Sequence, residues 1–315
     1  MKNIRKILIE KYKLNNIKNV SLLREGVDNC VFKIILENRK VFILRVSKRA
    51  VEDDINFELD ILLKLFSKGA KVAPPIENLN GEMFSKDHKG TIYTLFSFMK
   101  GSSIEISPTK KPEISKVFTA GSELGNLHNI AAKISSDYKK TRTIFTEIER
   151  ILYQKNKFSE IYNDSRIFLD MLEEYYSWSK NEAGKQIVIH NDYRPSNVFF
   201  HQKKVSAILD LDWSCMGPAI KDLALAAVEW SYPDGAEKYW RDSFESFIEG
   251  YNKTCKTKVD IDSVFYKWAA FSCLSDSCTY FADLIESNKT ITEKKELKSY
   301  MYNKFKFFNK LSKTK

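Results

Sequence analysis

A change in hydrophobic pattern about one third of the way along the chain constrains the fold more than any other feature. Before that point, the chain reads as short extended runs from residue 20 onward. Among them, residues 31–36 and 41–46 are apolar runs of strand length, joined by polar residues that predict a hairpin turn. Apolar side chains then recur at helical spacing over residues 51–66, and two further strand-like runs cover residues 75–84 and 91–98. This part of the chain therefore predicts a small lobe with a five-stranded antiparallel β-sheet and one helix.

Long helical segments dominate the rest of the chain, and a short β-rich insertion interrupts them once. We predict helices at residues 113–132, 166–179, 218–232, 237–251, 264–286 and 293–311, and strands at residues 186–189, 197–200 and 205–209. The two patterns meet at residues 99–101. The sequence thus predicts an α+β protein with an N-terminal lobe at residues 1–99 and a larger, mainly helical C-terminal lobe at residues 100–315.

Composition and charge restrict the compartment and the partners. Residues 1–12 predict a short amphipathic helix rather than a signal peptide, and no apolar run approaches the roughly 20 residues that span a bilayer, so we expect a cytoplasmic protein. The five cysteines include no Cys-x-x-Cys pair, which argues against a disulfide framework or a zinc site. The net charge of +10 comes from lysines spread along the chain. We expect neither a nucleic-acid nor a membrane partner, and either a monomer or a homodimer.

Carboxylates and an amide follow two strand-like runs of the β-rich insertion. Residues 190–197 read HNDYRPSN directly after an apolar run, and residues 207–212 read AILDLD one hairpin later. Phosphoryl transfer needs Mg²⁺ to neutralise the triphosphate, and a carboxylate to orient the attacking hydroxyl and accept its proton. We assign Asp192 as this base, and Asn197 and Asp210 as oxygen ligands of Mg²⁺.

The same stretch resembles the catalytic motif of the aminoglycoside phosphotransferase and choline kinase superfamily. Asp210 stands where protein kinases carry the aspartate of Asp-Phe-Gly, and Gly-Pro at residues 217–218 and Asp-Leu-Ala at residues 222–224 also match the superfamily. The resemblance implies a two-lobed, protein-kinase-like fold, ATP and Mg²⁺ as cofactors, and a small-molecule kinase that phosphorylates a hydroxyl group. The role of Asp212 stays open between a second metal contact and a hydrogen-bonding neighbour of the ligands.

A cation for the nucleotide phosphates is predicted in the N-terminal lobe. Arg45 lies in a strand-like run at the place of the third-strand lysine of protein kinases, and Glu58 borders the inward face of the predicted helix. Because a carboxylate facing inward requires a charged partner, we predict an ion pair between the two. The alternative is an ordinary salt bridge on the surface. Arginine in place of lysine leaves the geometry at the phosphates open, since a planar fork and a point charge bind differently.

Two further segments are assigned to the nucleotide. Residues 25–29 lie between two predicted strands and would form a loop over the phosphates, although this loop holds a single glycine. The run at residues 94–101 resembles the hinge of the superfamily, whose backbone groups would contact adenine. Together with the ion pair, the assigned nucleotide-binding residues are Arg45, Glu58, Val27, Asp28, Asn29, Ser97, Phe98 and Met99.

Softer matches place the chain closest to the homoserine-kinase branch of the superfamily. They lie at residues 25–29, 53–57 and 188–200, and the whole similarity extends over about residues 22–230. The branch does not determine the acceptor, because homoserine, an aminoglycoside, methylthioribose and choline all offer a hydroxyl near a positive charge. Acidic residues of the helical lobe are predicted to attract such a cationic acceptor, namely Glu229, Asp234, Glu237 and Asp242.

Other functions remain as alternatives at this point. A metal-dependent phosphoesterase could use the same carboxylates, but it leaves the ion pair of the small lobe unexplained and lacks further clustered histidines. A nucleotide-binding pseudokinase or regulatory protein would not need Asp192, Asn197 and Asp210 together. A protein kinase is disfavoured, because the eleven residues between Asp210 and Asp222 are too few for an activation segment.

Overall fold

The N-terminal region folds into one antiparallel sheet. The structure, a computed structural model, describes residues 2–26, 29–48, 51–162, 164–286 and 299–314. The elements of this region are helix α1 (Lys2–Tyr12), strands β1 (Ile17–Glu25), β2 (Asn29–Leu36) and β3 (Val41–Ser47), helix α2 (Glu52–Ser67), and strands β4 (Pro75–Ile76), β5 (Ser85–Lys86) and β6 (Ile92–Ser97). The strand order is β1-β2-β3-β6-β4, and β5 pairs with β6.

The two faces of the sheet are covered by different helices, because successive side chains of a strand point to opposite faces. Leu44 and Leu95 belong to a buried cluster with Ile4 and Leu8 of α1. Phe96, the next residue of β6, belongs instead to the large core that contains the apolar face of α2. The amphipathic N-terminal segment is thus a helix that completes the sheet.

The predicted strand at residues 75–84 is wrong for most of its length, and the sheet has six strands rather than five in the described residues. Only Pro75–Ile76 pairs with β6, because a turn organised by Asn78 follows at once. The Asn78 amide donates to the carbonyl oxygen of Phe84 at 2.9 Å, and its Oδ1 accepts from the backbone N–H of Glu82 at 3.0 Å. A side chain that satisfies the backbone in this way replaces ladder hydrogen bonds.

The C-terminal region is mainly helical. Its helices are α3 (Ile114–Ala131), α4 (Thr146–Tyr153), α5 (Lys155–Ile161), α6 (Ser165–Glu182), α7 (Ala219–Glu229), α8 (Arg241–Thr254), α9 (Ser263–Glu286) and α10 (Tyr300–Leu311). Its strands are β7 (Gln186–Ile189), β8 (Val198–His201), β9 (Lys204–Ile208) and β10 (Cys215–Pro218), paired β8 with β9 and β7 with β10. The fold is therefore α+β and protein-kinase-like, as predicted.

The helix predictions differ from the structure in length and number. Two short helices, α4 and α5, were not predicted, because each spans about two turns and offers little periodic pattern. The helix predicted from residue 237 begins only at Arg241, after a turn in which Gly235 has a φ of 79°. Residues 293–298 of the last predicted helix lie outside the described residues. Across the described chain, no helix is long and apolar enough to cross a membrane.

Candidate active site

A cavity of about 300 Å³ lies where the sheet, α2 and the β8–β9 hairpin meet. A β-bridge that pairs Val72 with Ile208 joins the two regions there. The cavity is lined by seven of the residues assigned from the sequence, namely Arg45, Glu58, Ser97, Phe98, Met99, Asn197 and Asp210. The predicted nucleotide and metal residues therefore come together around one space.

The loop after β7 is held in place by a buried carboxylate. Asp222 accepts hydrogen bonds from the backbone N–H of His190 at 2.9 Å and of Asn191 at 2.7 Å. It also lies 2.9 Å from Nε2 of His128. Burial alone would raise the pKa of Asp222, but the hydrogen bond from His128 helps to lower it below its ordinary value. A charged, fully hydrogen-bonded Asp222 thus fixes the turn in which Asn191 adopts a left-handed φ of 63°.

Asp192, the predicted base, follows in the same loop. Its Oδ2 accepts a hydrogen bond from Nδ2 of Asn197 at 2.8 Å, and its Oδ1 lies 2.5 Å from Nε of Arg194. Burial raises the pKa of Asp192 to about 7; the charge of Arg194 opposes the rise, and that of Asp276 adds to it. A carboxyl group with this pKa can take up a proton from an acceptor hydroxyl near neutral pH. Asp192 does not line the cavity itself, but it is bonded to Asn197, which does.

The Asn197 side chain is oriented by Asp192. Its amide nitrogen donates to Asp192 twice, to the backbone oxygen at 3.0 Å and to the carboxylate. Among the described residues, the amide oxygen receives only a 3.4 Å hydrogen bond, from Ser196. An amide held by its nitrogen in this way offers its oxygen to a hard cation such as Mg²⁺.

The turn at residues 210–212, called here the acidic turn, supplies two carboxylates. Asp210 has a left-handed backbone, with a φ of 65°, and its Oδ2 lies 3.1 Å from Nη1 of Arg24. Oδ1 of Asp212 is buried and has no hydrogen-bond partner among the described residues. Burial raises the pKa of Asp212, and repulsion from Asp210 and Glu58 raises it further. A buried oxygen without a donor, in a field of other carboxylates, is an environment that a divalent cation would stabilise.

These oxygen donors fit a magnesium ion that is shared between the protein and a bound phosphate. They fit a metal site built from protein groups alone less well. Within the described chain, no group of three or more histidine, cysteine, aspartate or glutamate side chains could hold a metal ion. Mg²⁺ is commonly bound by one or two carboxylates, with substrate phosphates and water completing the octahedron. Asp210 matches that arrangement, since Asn197 lines the same cavity and Asp212 belongs to the same turn.

The predicted pair of Arg45 and Glu58 is present and buried. Two hydrogen bonds of 2.7 Å join the guanidinium to the carboxylate, and the residues are 6% and 1% exposed. The alternative of a surface salt bridge is therefore wrong. Burial opposes the charge of Arg45, but Glu58 raises the pKa of Arg45 above its ordinary value. Nε of Arg45 is buried and lacks a partner in the described part of the chain, and each terminal nitrogen donates only one of its two N–H groups to Glu58, so the guanidinium keeps donors for a ligand.

The remaining assigned residues are placed unevenly. Val27 and Asp28 lie outside the described residues. Asn29 is described, and its Nδ2 donates to Oδ2 of Asp212 at 3.3 Å, but the residue does not line the cavity.

The acidic residues predicted to attract a cationic acceptor are largely neutralised. Glu229 and Asp234 lie 3.2 Å and 2.8 Å from the ammonium of Lys304, and Asp242 pairs with Lys111.

Sequence reasoning missed several charged residues around the site. Arg24 lines the cavity, and Lys140 donates to the backbone oxygen of Asp212 at 2.7 Å. Lys221 is buried beside Asp222 and contacts the Asn191 amide oxygen. A lysine within the apolar segment at residues 219–228 was an available signal, since lysine is rarely buried unless it has a partner. Arg24 and Lys140 carried no comparable signal.

A known protein family and a kinase sequence both match most of this chain. Residues 19–252 match the family described as the Phosphotransferase enzyme family. A homoserine kinase of Parvibaculum lavamentivorans is 23% identical over 235 residues, which cover 70% of this chain and 67% of the relative.

Two solved structures are similar to the whole chain. A microcompartment-associated aminopropanol kinase superposes with a TM-score of 0.72 at 14% identity, covering 98% of this chain and 97% of that chain. An amicoumacin kinase, solved with AMP-PNP and Ca²⁺, gives a TM-score of 0.70 at 14% identity and covers 99% and 92%. At 14% identity, these superpositions show that the chain shares the fold of the two kinases.

Proposed function

Since this chain belongs to the Phosphotransferase enzyme family, we propose that it transfers the γ-phosphoryl group of ATP, with Mg²⁺, to a hydroxyl group of a small amino alcohol or aminoglycoside. The observation that carries the proposal is the hydrogen-bonded contact between Asp192 and Asn197, at the edge of a cavity that Arg45 and Asp210 also line. A base, an oxygen donor for the metal and a cation for the phosphates are thus adjacent.

The nucleotide would lie in the cavity, between lobes divided at residues 99 and 100. Backbone groups of Ser97, Phe98 and Met99 would meet the base at one end. Arg45 would meet the phosphates at the other end through N–H donors that Glu58 leaves free, since Glu58 accepts one hydrogen bond from each terminal nitrogen and none from Nε. The fixed charge of a buried, paired guanidinium costs no rearrangement when the triphosphate arrives.

Asn197 and Asp210 would hold Mg²⁺, and Asp212 lies close enough in the acidic turn to contribute a further oxygen. The ion supplies charge neutralisation for the β- and γ-phosphates when it is bound. The protein's own part is to orient the ligands. Asn197 is fixed by its two hydrogen bonds to Asp192, and Lys140 fixes the acidic turn through its bond to the Asp212 backbone.

Asp192 would orient the acceptor hydroxyl and take its proton. A bond forms between the acceptor oxygen and the γ-phosphorus, the bond to the bridging oxygen of ADP breaks, and the proton ends on the Asp192 carboxylate. Asn197 and Arg194 hold this carboxylate by one oxygen each. The positioning of the base therefore depends on two neighbours in the same loop.

The amino-alcohol class rests on the names of similar proteins. The relative at 23% identity is a homoserine kinase, and the solved structure with the higher TM-score of the two is an aminopropanol kinase. Both names specify a hydroxyl on a short carbon chain that carries an amine. We therefore place homoserine and aminopropanol first among acceptors to be tested, with aminoglycosides, methylthioribose and choline beside them.

The first test is ADP release with ATP and Mg²⁺ across this panel of acceptors. We expect one acceptor to stimulate release strongly, and Asp192→Asn to lower that turnover by roughly 10²–10⁴-fold while ATP binding persists. Asp170→Asn, an exposed aspartate of α6, is the matched control and should keep full turnover.

Two other results would redirect the assignment. ATP binding without turnover on any acceptor would favour the pseudokinase alternative. Release of phosphate from phosphomonoesters in the absence of ATP would favour the phosphoesterase. If Asp192→Asn retained near-full turnover on the preferred acceptor, Asp192 would not be the base.

A further inference from the structure

The end of β1 and the start of β2 contact the two carboxylates of the acidic turn. Nη1 of Arg24 lies 3.1 Å from Oδ2 of Asp210, and Nδ2 of Asn29 donates to Oδ2 of Asp212 at 3.3 Å. The strand ends beside the loop assigned to the nucleotide phosphates are therefore joined to the turn that should hold the metal.

The two contacts differ in how firmly they are anchored. Asn29 is held by a second hydrogen bond, because its Oδ1 accepts from Oγ of Ser47 at 2.7 Å. The Arg24 side chain is 69% exposed, and Asp210 is its only hydrogen-bond or ion-pair partner in the part of the chain that the structure describes. A long, exposed side chain with one partner can leave that partner at little cost.

A divalent cation and the Arg24 guanidinium would compete for Asp210. The carboxylate is 28% exposed, and the oxygen that Arg24 contacts is one of the two that could bind a metal. Two positive groups at one oxygen repel each other, so binding of the cation favours the departure of Arg24. This argument rests on the proposed function, because it takes Asp210 as a metal ligand.

We propose that Arg24 holds the Asp210 carboxylate while no divalent cation is bound, and that it moves to the phosphates of the nucleotide when the cation takes its place. Arg24 lines the same cavity as Arg45, so phosphates bound there are within reach of its flexible side chain. A guanidinium presents paired N–H donors that match phosphate oxygens. Arg24 thus acts first as a substitute counter-charge for Asp210 and then as a ligand of the substrate.

The proposal predicts opposite effects of Arg24→Gln on two measurements. Without nucleotide, binding of Mn²⁺, followed through the electron paramagnetic resonance signal of the free ion, should become about threefold tighter, because an exposed ion pair no longer competes. With nucleotide, the KM for MgATP should rise roughly tenfold, because a charged hydrogen bond to phosphate is lost. Arg166→Gln, an exposed arginine of α6, removes the same charge far along the chain and should change neither quantity.

Two further variants make the test specific. In an Asp210→Asn background, Arg24→Gln should leave Mn²⁺ affinity unchanged, because the oxygen for which the groups compete has lost its charge. Arg24→Lys keeps the charge and should restore the weaker Mn²⁺ binding of the wild type, but only part of the MgATP affinity.

Several outcomes would overturn the exchange of partners. An increase in KM without tighter Mn²⁺ binding would mean that Arg24 binds phosphate without ever restraining Asp210. Unchanged values of both quantities would remove Arg24 from the site. Failure of the proposed function would look different, since the wild-type protein would then neither bind ATP nor release ADP with any acceptor.

Discussion

Asp192 is the residue at which burial has the clearest chemical consequence. Its pKa is raised to about 7, chiefly by burial, against an ordinary value near 4. A base must be deprotonated to accept a proton, so activity is full above this pKa and falls about tenfold for each pH unit below it. We expect kcat/KM for the acceptor, measured at saturating MgATP, to rise with pH and to level off above about pH 7.

The position of this acidic limb should depend on Asp276. This partly buried side chain of α9 forms no hydrogen bond or ion pair with other described residues, and its negative charge raises the pKa of Asp192. Ser272, one helical turn earlier, bonds to the Lys221 backbone oxygen, which places that face of α9 against α7. Asp276→Asn should therefore move the limb to lower pH. The control variant Asp170→Asn should leave the acidic limb at the same pH. If the limb stayed at the same pH in both variants, its assignment to Asp192 would be contradicted.

At the scale of elements, a connecting segment adds hydrogen bonds between α2 and the acidic turn. This crossing segment, residues 135–142, runs between α3 and α4. The backbone N–H and Oγ1 of its Thr141 both donate to Oδ1 of Asp54, at 2.6 Å and 2.9 Å. Lys140 donates to the backbone oxygen of Asp212. Because α2 also carries Glu58, the segment connects the ion pair of the nucleotide site to the metal-binding turn.

Removing the Asp54 anchor should loosen this connection. Asp54→Ala should lower the free energy of unfolding in urea by about 1–2 kcal/mol more than Asp53→Ala, because among the described residues the Asp54 carboxylate accepts two hydrogen bonds and that of Asp53 accepts none. Both residues lie in the first turn of α2, so the loss of charge at the helix N-terminus is the same in both variants. Only Asp54→Ala should also raise the KM for MgATP. Equal effects of the two variants would show that the crossing segment does not position α2.

The sequence predicted those elements that have a long or contiguous hydrophobic pattern. It failed where hydrogen bonds of single side chains determine the backbone conformation. Asp192, Asn197 and Asp210 are close in sequence and separated by one hairpin, so local reasoning brought them together. The Arg45–Glu58 pair followed from the resemblance of the Arg45 strand to the third strand of protein kinases, together with the inward face of α2. The turn made by Asn78 and the crossing segment depend on individual hydrogen bonds in irregular backbone, which no hydrophobic period indicates.

At the scale of the whole molecule, the C-terminal helix α10 is joined to the neighbourhood of the base. It packs on α9 through the fully buried Phe305 and Phe308, as expected for a helix that belongs to its own lobe. Its buried Lys304 binds Glu229 at the end of α7 at 3.2 Å. Repulsion from the negative charge of Glu229 raises the pKa of Asp192. One lysine therefore connects the end of the chain to the protonation of the active site.

Lys304→Met keeps the packing of the aliphatic stem and removes the charge. We expect the free energy of unfolding to fall by about 1.5–3 kcal/mol, because Glu229 loses a charged partner in a largely buried position. The acidic limb of kcat/KM should also move to higher pH, opposite to Asp276→Asn, since an unopposed Glu229 further disfavours the charged form of Asp192. Lys306→Met, on the exposed side of the same helix, is the control for both measurements. A loss of stability with an unmoved pH limb would confine Lys304 to holding α10 on the core.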